Sequence, residues 1–321
     1  MRVSRTSVDS FVTATSLPVS RERRSRPGFS YEAIYKLPRD KRYFNVSVLW
    51  IAYYPHLTHL LYALRIRHEV VTLLSLACGP AAAAILTSQS TAAALVLCAV
   101  LIHLKDVFDA CDGSLARLTG TGHRIGRFLD TIGDGVVFTA LIAAVAWYGI
   151  ARGGHPEEMC VWAGAAWLSL FLQCSYFNFY HLQYARLIGA ESRSRLDESS
   201  MDGTDGGGYR GAARLLLTLL QRLYLIWFGW QDRLIQALDR LSLRTARPSG
   251  RNSELEAARW YGARGFLVAN SALCYGTHAF VLILCVLGGR PTWFLPAVAV
   301  GMNLYLATII VSRWVVFREA A

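Results

Sequence analysis

The chain has 321 residues, 54% of them hydrophobic and only 17% charged, and its mean hydropathy is +0.31. Soluble domains carry about 25% charged residues, so this composition excludes an ordinary soluble enzyme and points to the membrane. A formal net charge of +11 would raise nucleic acid as a partner for a soluble protein. Here the basic residues flank long apolar runs, which assigns them to loops beside anionic lipid and argues against a nucleic-acid binder.

Residues 1–43 are rich in Arg, Ser and Thr and lack the apolar core of a secretory signal, so a disordered basic arm is expected. Residues 44–67 mix Trp50, Tyr53, Tyr54 and Tyr62 with Arg65 and Arg67, the make-up of an amphipathic juxtamembrane helix lying among headgroups. The first span is expected at 70–86. A second apolar run at 92–104 is too short alone to cross about 30 Å of hydrocarbon, so its helix must continue through Lys105, Asp106, Asp109 and Asp112. Further spans are expected at 126–150, 159–182, 265–287 and 294–316. A polar cytoplasmic insert at about 187–257 separates the fourth from the fifth, and its 215–241 stretch reads as one amphipathic, surface-bound helix. The catalytic domain would then cover 68–318.

The expected fold is therefore all-α and integral to the membrane, with six spans and both termini on one side. The loops at 87–91, 151–158 and 288–292 contain only Arg152 and Arg290 as bases. The remaining Lys and Arg mark the other side as cytoplasmic. The seven cysteines form no C-x-x-C pair, so neither a disulfide framework nor a zinc site is expected. No internal inverted repeat of the transporter kind is visible. Gly206, Gly207 and Gly208 lack the preceding strand and following G-K-[ST] of a phosphate loop.

Chemistry concentrates in two stretches. Asp109 and Asp112 lie three apart, and Asp130 and Asp134 four apart, so each pair shares one helix face. The short connection between them makes the two helices antiparallel neighbours and brings four carboxylates together at the cytoplasmic border. Each would cost about 2.5–3.5 kcal/mol at mid-membrane. A divalent cation offsets that cost, and carboxylate oxygens suit Mg²⁺ or Mn²⁺. Two such ions could bridge a pyrophosphate. Gly113 and Gly126 leave room for a ligand, and Arg117 can donate to a phosphate in a bidentate manner. An isolated aspartate here would be read as a salt-bridge partner for Lys105 or Arg127; four at this spacing would not.

These residues resemble the CDP-alcohol phosphotransferase family, whose signature is D-x-x-D-G-x-x-A-R-x8-G-x-x-x-D-x-x-x-D. Asp109, Asp112, Gly113, Ala116, Arg117, Gly126, Asp130 and Asp134 fill every fixed position. The resemblance implies a phospholipid-synthesis transferase in which Asp109, Asp112 and Asp130 hold two divalent ions, Mg²⁺ or Mn²⁺. Asp134 would be the base that takes the proton of the attacking hydroxyl and would share in metal binding. Gly113, Ala116, Arg117 and Gly126 would line the pocket for the CDP donor, and a homodimer in a bacterial cytoplasmic membrane would be expected. Many members open the first span with Pro-Asn-x-x-Thr. Here Thr72 keeps the threonine and is assigned to the donor pocket, whereas His68 and Glu69 depart.

The donor favoured is CDP-diacylglycerol, with an alcohol acceptor and CMP as product. The alternative is a CDP-aminoalcohol, of the choline or ethanolamine type, reacting with diacylglycerol. A remoter alternative is an ion channel or transporter, which would spread its carboxylates across the membrane instead of gathering them at one depth. Arg186 and Arg264 are the candidate acceptor-binding residues, with Arg193, Arg195 and Arg313 as weaker ones. Asn178, His181 and Asn270 are polar groups inside spans, suited to a cavity or to interhelical bonding. His123 is expected to be exposed in the loop above the site.

Overall fold

The computed structural model describes residues 28–190, 209, 211–246 and 253–319. Helices dominate, and no strand occurs among the described residues. In chain order the helices are α1 (Tyr31–Ile34), α2 (Tyr54–Ala63), α3 (His68–Ser88), α4 (Ala92–Thr119), α5 (Arg124–Ile150) and α6 (Pro156–Leu187). Then follow α7 (Ala212–Trp227), α8 (Gly229–Ala246), α9 (Ser253–Gly262), α10 (Arg264–Ser271), α11 (Tyr275–Leu287), α12 (Phe294–Pro296) and α13 (Asn303–Glu319).

Five stretches are long and apolar enough to cross a membrane: His68–Ser88, Arg124–Ile150, Pro156–Leu187, Leu255–Leu287 and Pro291–Glu319. The α7–α8 pair becomes a sixth if counted as one bent span. The expected second span, α4, is not among the five. Its 28 residues would reach across the hydrocarbon at about 1.5 Å per residue, but Lys105, Asp106, Asp109, Asp112 and Arg117 make it too polar by composition. It is nonetheless the helix on which α3 packs most extensively. The chain is an all-α integral-membrane protein.

Local chemistry sets the ends of the central helices. Thr91 caps α4 by accepting from the Ala94 N–H at 3.2 Å, and Gly120 ends it in the left-handed conformation, φ +64°, which glycine adopts without steric cost. His123 is exposed, as expected, but it also caps α5, its Nδ1 accepting from Gly126 N at 2.8 Å. Within the bundle, α3 packs closely on both α4 and α5, whereas α4 and α5 make little backbone contact with each other. The two motif helices meet through their side chains, Lys105 of α4 bonding Asp134 of α5, and α3 is their common neighbour. Gly79 permits this, since a Cβ there would lie 2.4 Å from Val137 Cγ1.

Three further expectations change. Residues 28–43 are not a disordered arm. Ile34 is fully buried, Leu37 is buried with Tyr176 and Tyr180, and the segment forms a strap across the helix ends. The rest of the expected arm, 1–27, lies outside the described residues. The 44–67 stretch is not one helix but a 3₁₀ turn, Val46–Ile51, followed by α2. The 215–241 helix is two helices bent by 51°. Leu217, Leu220, Tyr224 and Phe228 are buried in the main core, so the first of the two is packed into the bundle and not laid on its surface. Gly206, Gly207 and Gly208, with Arg193 and Arg195, lie outside the described residues. All seven cysteines are free.

Polar side chains tie the spans to one another. His278 Nε2 meets Gln173 Oε1 at 2.8 Å, Gln173 Nε2 donates to Asn303 Oδ1 at 2.8 Å, and Asn303 Nδ2 donates to Ser169 Oγ at 2.8 Å. A π-helical stretch, Ala297–Met302, lies beside this ladder. Its wide turn leaves the Val298 carbonyl to accept from Gln173 Nε2 at 3.3 Å. In lipid, where water is absent, such bonds help to fix helix against helix.

Candidate active site

The motif helices place their acids at one end of the bundle. Asp109 and Asp112 occupy the last three turns of α4, and Asp130 and Asp134 the first three of α5. One carboxylate oxygen from each of Asp109, Asp112 and Asp130 falls within 4.8 Å of the other two. Asp112 is buried, and Asp109 and Asp130 are half-buried. Three hard oxygen donors so close, partly withdrawn from water, repel one another unless a cation joins them. The donor set therefore fits Mg²⁺ or Mn²⁺, and Asp109, Asp112 and Asp130 are the residues that would hold it.

Asp134 is not part of that triad. It is buried, and its Oδ1 accepts a hydrogen bond from the Lys105 ammonium. Lys105, only 2% exposed, also stands 3.9 Å from Asp109 Oδ2. Its own carbonyl accepts from Ser75 Oγ at 3.0 Å, fixing this turn of α4 to α3. The neighbouring Asp106 is engaged elsewhere: Trp50 Nε1 donates to it at 3.0 Å, with the indole stacked on Phe280 at 4.3 Å.

Around the triad the predicted donor-pocket residues take definite places. The Thr72 hydroxyl faces Asp112 and bonds the His68 carbonyl at 3.1 Å. Gly113 has open space where a side chain would stand, bounded only by Arg117 Nη1 at 3.4 Å. Ala116 lies one turn beyond Asp112, half-buried, its carbonyl accepting from Gly122 N at 3.3 Å. Gly126 faces the His123 ring, 3.1 Å from the position of a Cβ. Arg117 directs Nε (2.8 Å) and Nη2 (2.5 Å) to the Ile34 carbonyl, and Nη2 also to Ser114 Oγ at 3.0 Å. Two of its donors thus hold the strap.

Lys36, carried by the strap two residues beyond Ile34, lies close enough to Asp109 and Asp130 to feel their charges. Its surface stays solvent-exposed although protein surrounds it at longer range. Lost hydration, then repulsion from Arg117, pushes its ammonium below the usual lysine range. Nothing in the sequence signals its position, because it sits in a segment without periodicity.

The candidate acceptor residues are dispersed. Arg186 is exposed in the last turn of α6, and Arg264 donates to the Asp40 carbonyl at 2.7 Å. Neither contacts the four aspartates among the described residues. Arg313 is 3% exposed and stacked over Tyr180 at 3.9 Å and Trp260 at 4.2 Å. It is enclosed by aromatic rings, a cation–π arrangement that contributes to packing. His181 meets the Tyr43 hydroxyl at 2.7 Å and so anchors the strap.

The model of the family described as CDP-alcohol phosphatidyltransferase matches residues 68–230, just over half of the chain. The chain belongs to this family. The matched region runs from α3 to the start of α8 and contains the whole aspartate site, so the CDP-alcohol phosphatidyltransferase core includes α7 as well as the motif helices. Membership in a transferase family sets aside the ion-channel reading. A comparison with curated proteins finds no match.

Proposed function

We propose that the chain transfers a substituted phosphate from a CDP-linked donor, CDP-diacylglycerol in the favoured reading, to the hydroxyl of an alcohol acceptor. The observation that carries this reading is the convergence of Asp109, Asp112 and Asp130 within 4.8 Å, with Asp134 one turn further along α5. A divalent cation bound there would neutralise charge on the donor diphosphate and on the departing nucleotide.

The chain's own groups do the rest. The space beside Gly113 accommodates the donor, with Arg117 Nη1 at its edge. Asp134 offers the oxygen not held by Lys105 to the acceptor hydroxyl. As the acceptor oxygen bonds to the β-phosphorus, its proton passes to Asp134, and the bond from that phosphorus to the bridging oxygen breaks. CMP leaves and a phosphodiester forms. Positioning and charge stabilisation supply most of the rate in chemistry of this kind. The clustering of basic residues at the aspartate end supports a cytoplasmic site.

The same geometry serves the arrangement with a soluble CDP-aminoalcohol as donor and diacylglycerol as acceptor. The deciding experiment incubates purified protein and Mn²⁺ with radiolabelled CDP-diacylglycerol, or separately with CDP-choline, against a panel of alcohols and diacylglycerol. CMP release with the first donor and a water-soluble alcohol is expected. Release with CDP-choline and diacylglycerol alone would replace the favoured donor, and release with neither would overturn the reading.

A further inference from the structure

We infer that Lys36, which the strap carries over the aspartates, holds an anionic group on the alcohol acceptor. The second substrate is then an acidic alcohol, bearing a phosphomonoester or a carboxylate, and not a neutral one. The inference rests on the phosphotransfer reading above and names the class of acceptor at that same site.

The strap presents Lys36 as a fixed group. On one side the Ile34 carbonyl is gripped by Arg117 Nε at 2.8 Å. On the other, the Leu37 carbonyl accepts from Arg42 Nε at 2.9 Å. The Ile34 and Leu37 side chains are both buried, and the Arg42 guanidinium lies 3.8 Å over the Tyr35 ring. Between these anchors Lys36 is nevertheless exposed. An exposed side chain ringed by protein stands on the wall of a concavity open to water. Among the described residues it makes no hydrogen bond and no ion pair, although it feels the charges of Asp109 and Asp130. An amino group placed in this way is available to an anion that a substrate brings.

Its neighbours decide which substrate. Lys36 is within electrostatic reach of Cys274, at the start of α11, and of His181 on α6. The donor-pocket residues Thr72, Gly113 and Gly126 belong instead to α3 and to the facing ends of α4 and α5, where Arg117 Nη1 already borders the donor space. Lys36 therefore serves the α6 and α11 side of the acids. That side is equipped for a polar ligand. The stretch Leu255–Leu287 is interrupted between α10 and α11. At this break Asn270 Oδ1, Asn270 Nδ2 and Thr277 Oγ1 are buried without a hydrogen-bond partner. Irregular backbone at membrane depth is tolerated where it lines a polar cavity, and buried polar groups normally find a partner. These atoms suit the hydroxyls of an alcohol, while Lys36 takes its charge. A neutral alcohol would leave the amino group unpaired, whereas an acidic one gains a charge-assisted hydrogen bond.

The test follows CMP release from CDP-diacylglycerol by the purified full-length protein with Mn²⁺. Glycerol, glycerate and glycerol 3-phosphate form one matched set of acceptors, inositol and inositol 1-phosphate another. At least one acidic acceptor should exceed its neutral counterpart about tenfold in kcat/KM, and the set tells carboxylate from phosphate. Lys36→Ala should raise the KM for that acceptor about tenfold, the loss typical of a hydrogen bond to a charged group, with kcat changed less than about threefold. The Kd for CDP and the Tm in detergent should stay at wild-type values, and Lys36→Arg should restore most of the affinity. A merely structural role would instead lower Tm and kcat together, and would overturn the inference. Preference for the neutral member of each set, or for diacylglycerol with CDP-choline, would overturn it and leave phosphotransfer standing. So would a Lys36→Ala variant that loses CDP binding but keeps its KM for the acceptor, which would assign the lysine to the donor. CMP release with neither donor would refute the functional reading, and this inference with it.

Discussion

Asp134 differs from its three motif partners by what it touches, and the difference is one of partner choice at a single side chain. Asp134→Asn keeps the shape and removes the basicity. Turnover should fall by about 10²–10⁴-fold, while CDP binding, followed by calorimetry, stays close to wild type; activity near wild type would remove the base assignment. Asp109→Ala and Asp112→Ala each delete a member of the triad, and Mn²⁺ affinity measured by spin resonance should drop at least tenfold in both. The residue spacings made the triad legible, since positions three and four apart must share a helix face. Lys105, four residues before Asp109, was equally visible on that face. Its reach across to α5 was not, because a lysine has several rotamers and spacing alone does not choose among them.

At the scale of elements, the strap over 28–45 is the feature that composition concealed. It is held largely through main-chain oxygens: Ile34 accepts from Arg117, Asp40 from Arg264 and Lys41 from Tyr184. Every residue carries such an oxygen, so no pattern of side chains announces the contact. Removal of residues 1–26 should leave activity in membranes within about twofold of wild type. Removal of 1–40 deletes Ile34, Lys36 and Leu37 and should abolish most of it, with CMP release as the assay. Similar reasoning applies to Gly276, where a Cβ would stand 2.9 Å from the Ser47 carbonyl and 3.3 Å from Asp106. Gly276→Ala should destabilise by about 1–3 kcal/mol, the usual cost of overpacking, read as a lowered Tm in detergent. The bend between α7 and α8 was missed for a different reason. The apolar residues of 212–227 continue around the helix, with Leu215 and Ile226 exposed opposite the buried Leu217 and Leu220. A stripe assigned to a surface helix is in fact one side of a helix that is apolar on both.

For the molecule as a whole, the exposed residues are as informative as the core. Leu73, Val96, Trp147, Val161, Leu284 and Leu304 are exposed on helices that cross the bundle. In water such a surface would aggregate; against acyl chains it is the expected exterior. The span positions were legible because length and hydropathy alone decide them, except at α4, where function puts charge into a helix that otherwise reads as membrane-spanning. If the aspartates face the cytoplasm, the turn between α5 and α6 lies outside. A Glu157→Cys variant should then react with a membrane-impermeant maleimide in intact cells and be protected in inverted vesicles; the reverse pattern would invert the orientation.

The clasp between Arg117 and the oxygen of residue 34 has a consequence for tolerance to change. Because the guanidinium grips the peptide unit and not a side group, one greasy residue can replace another at that point and leave the grip in place. Adding or removing a residue between positions 34 and 40 is a different matter: it changes the length of ribbon between its anchors, and Lys36 would no longer arrive above the acids.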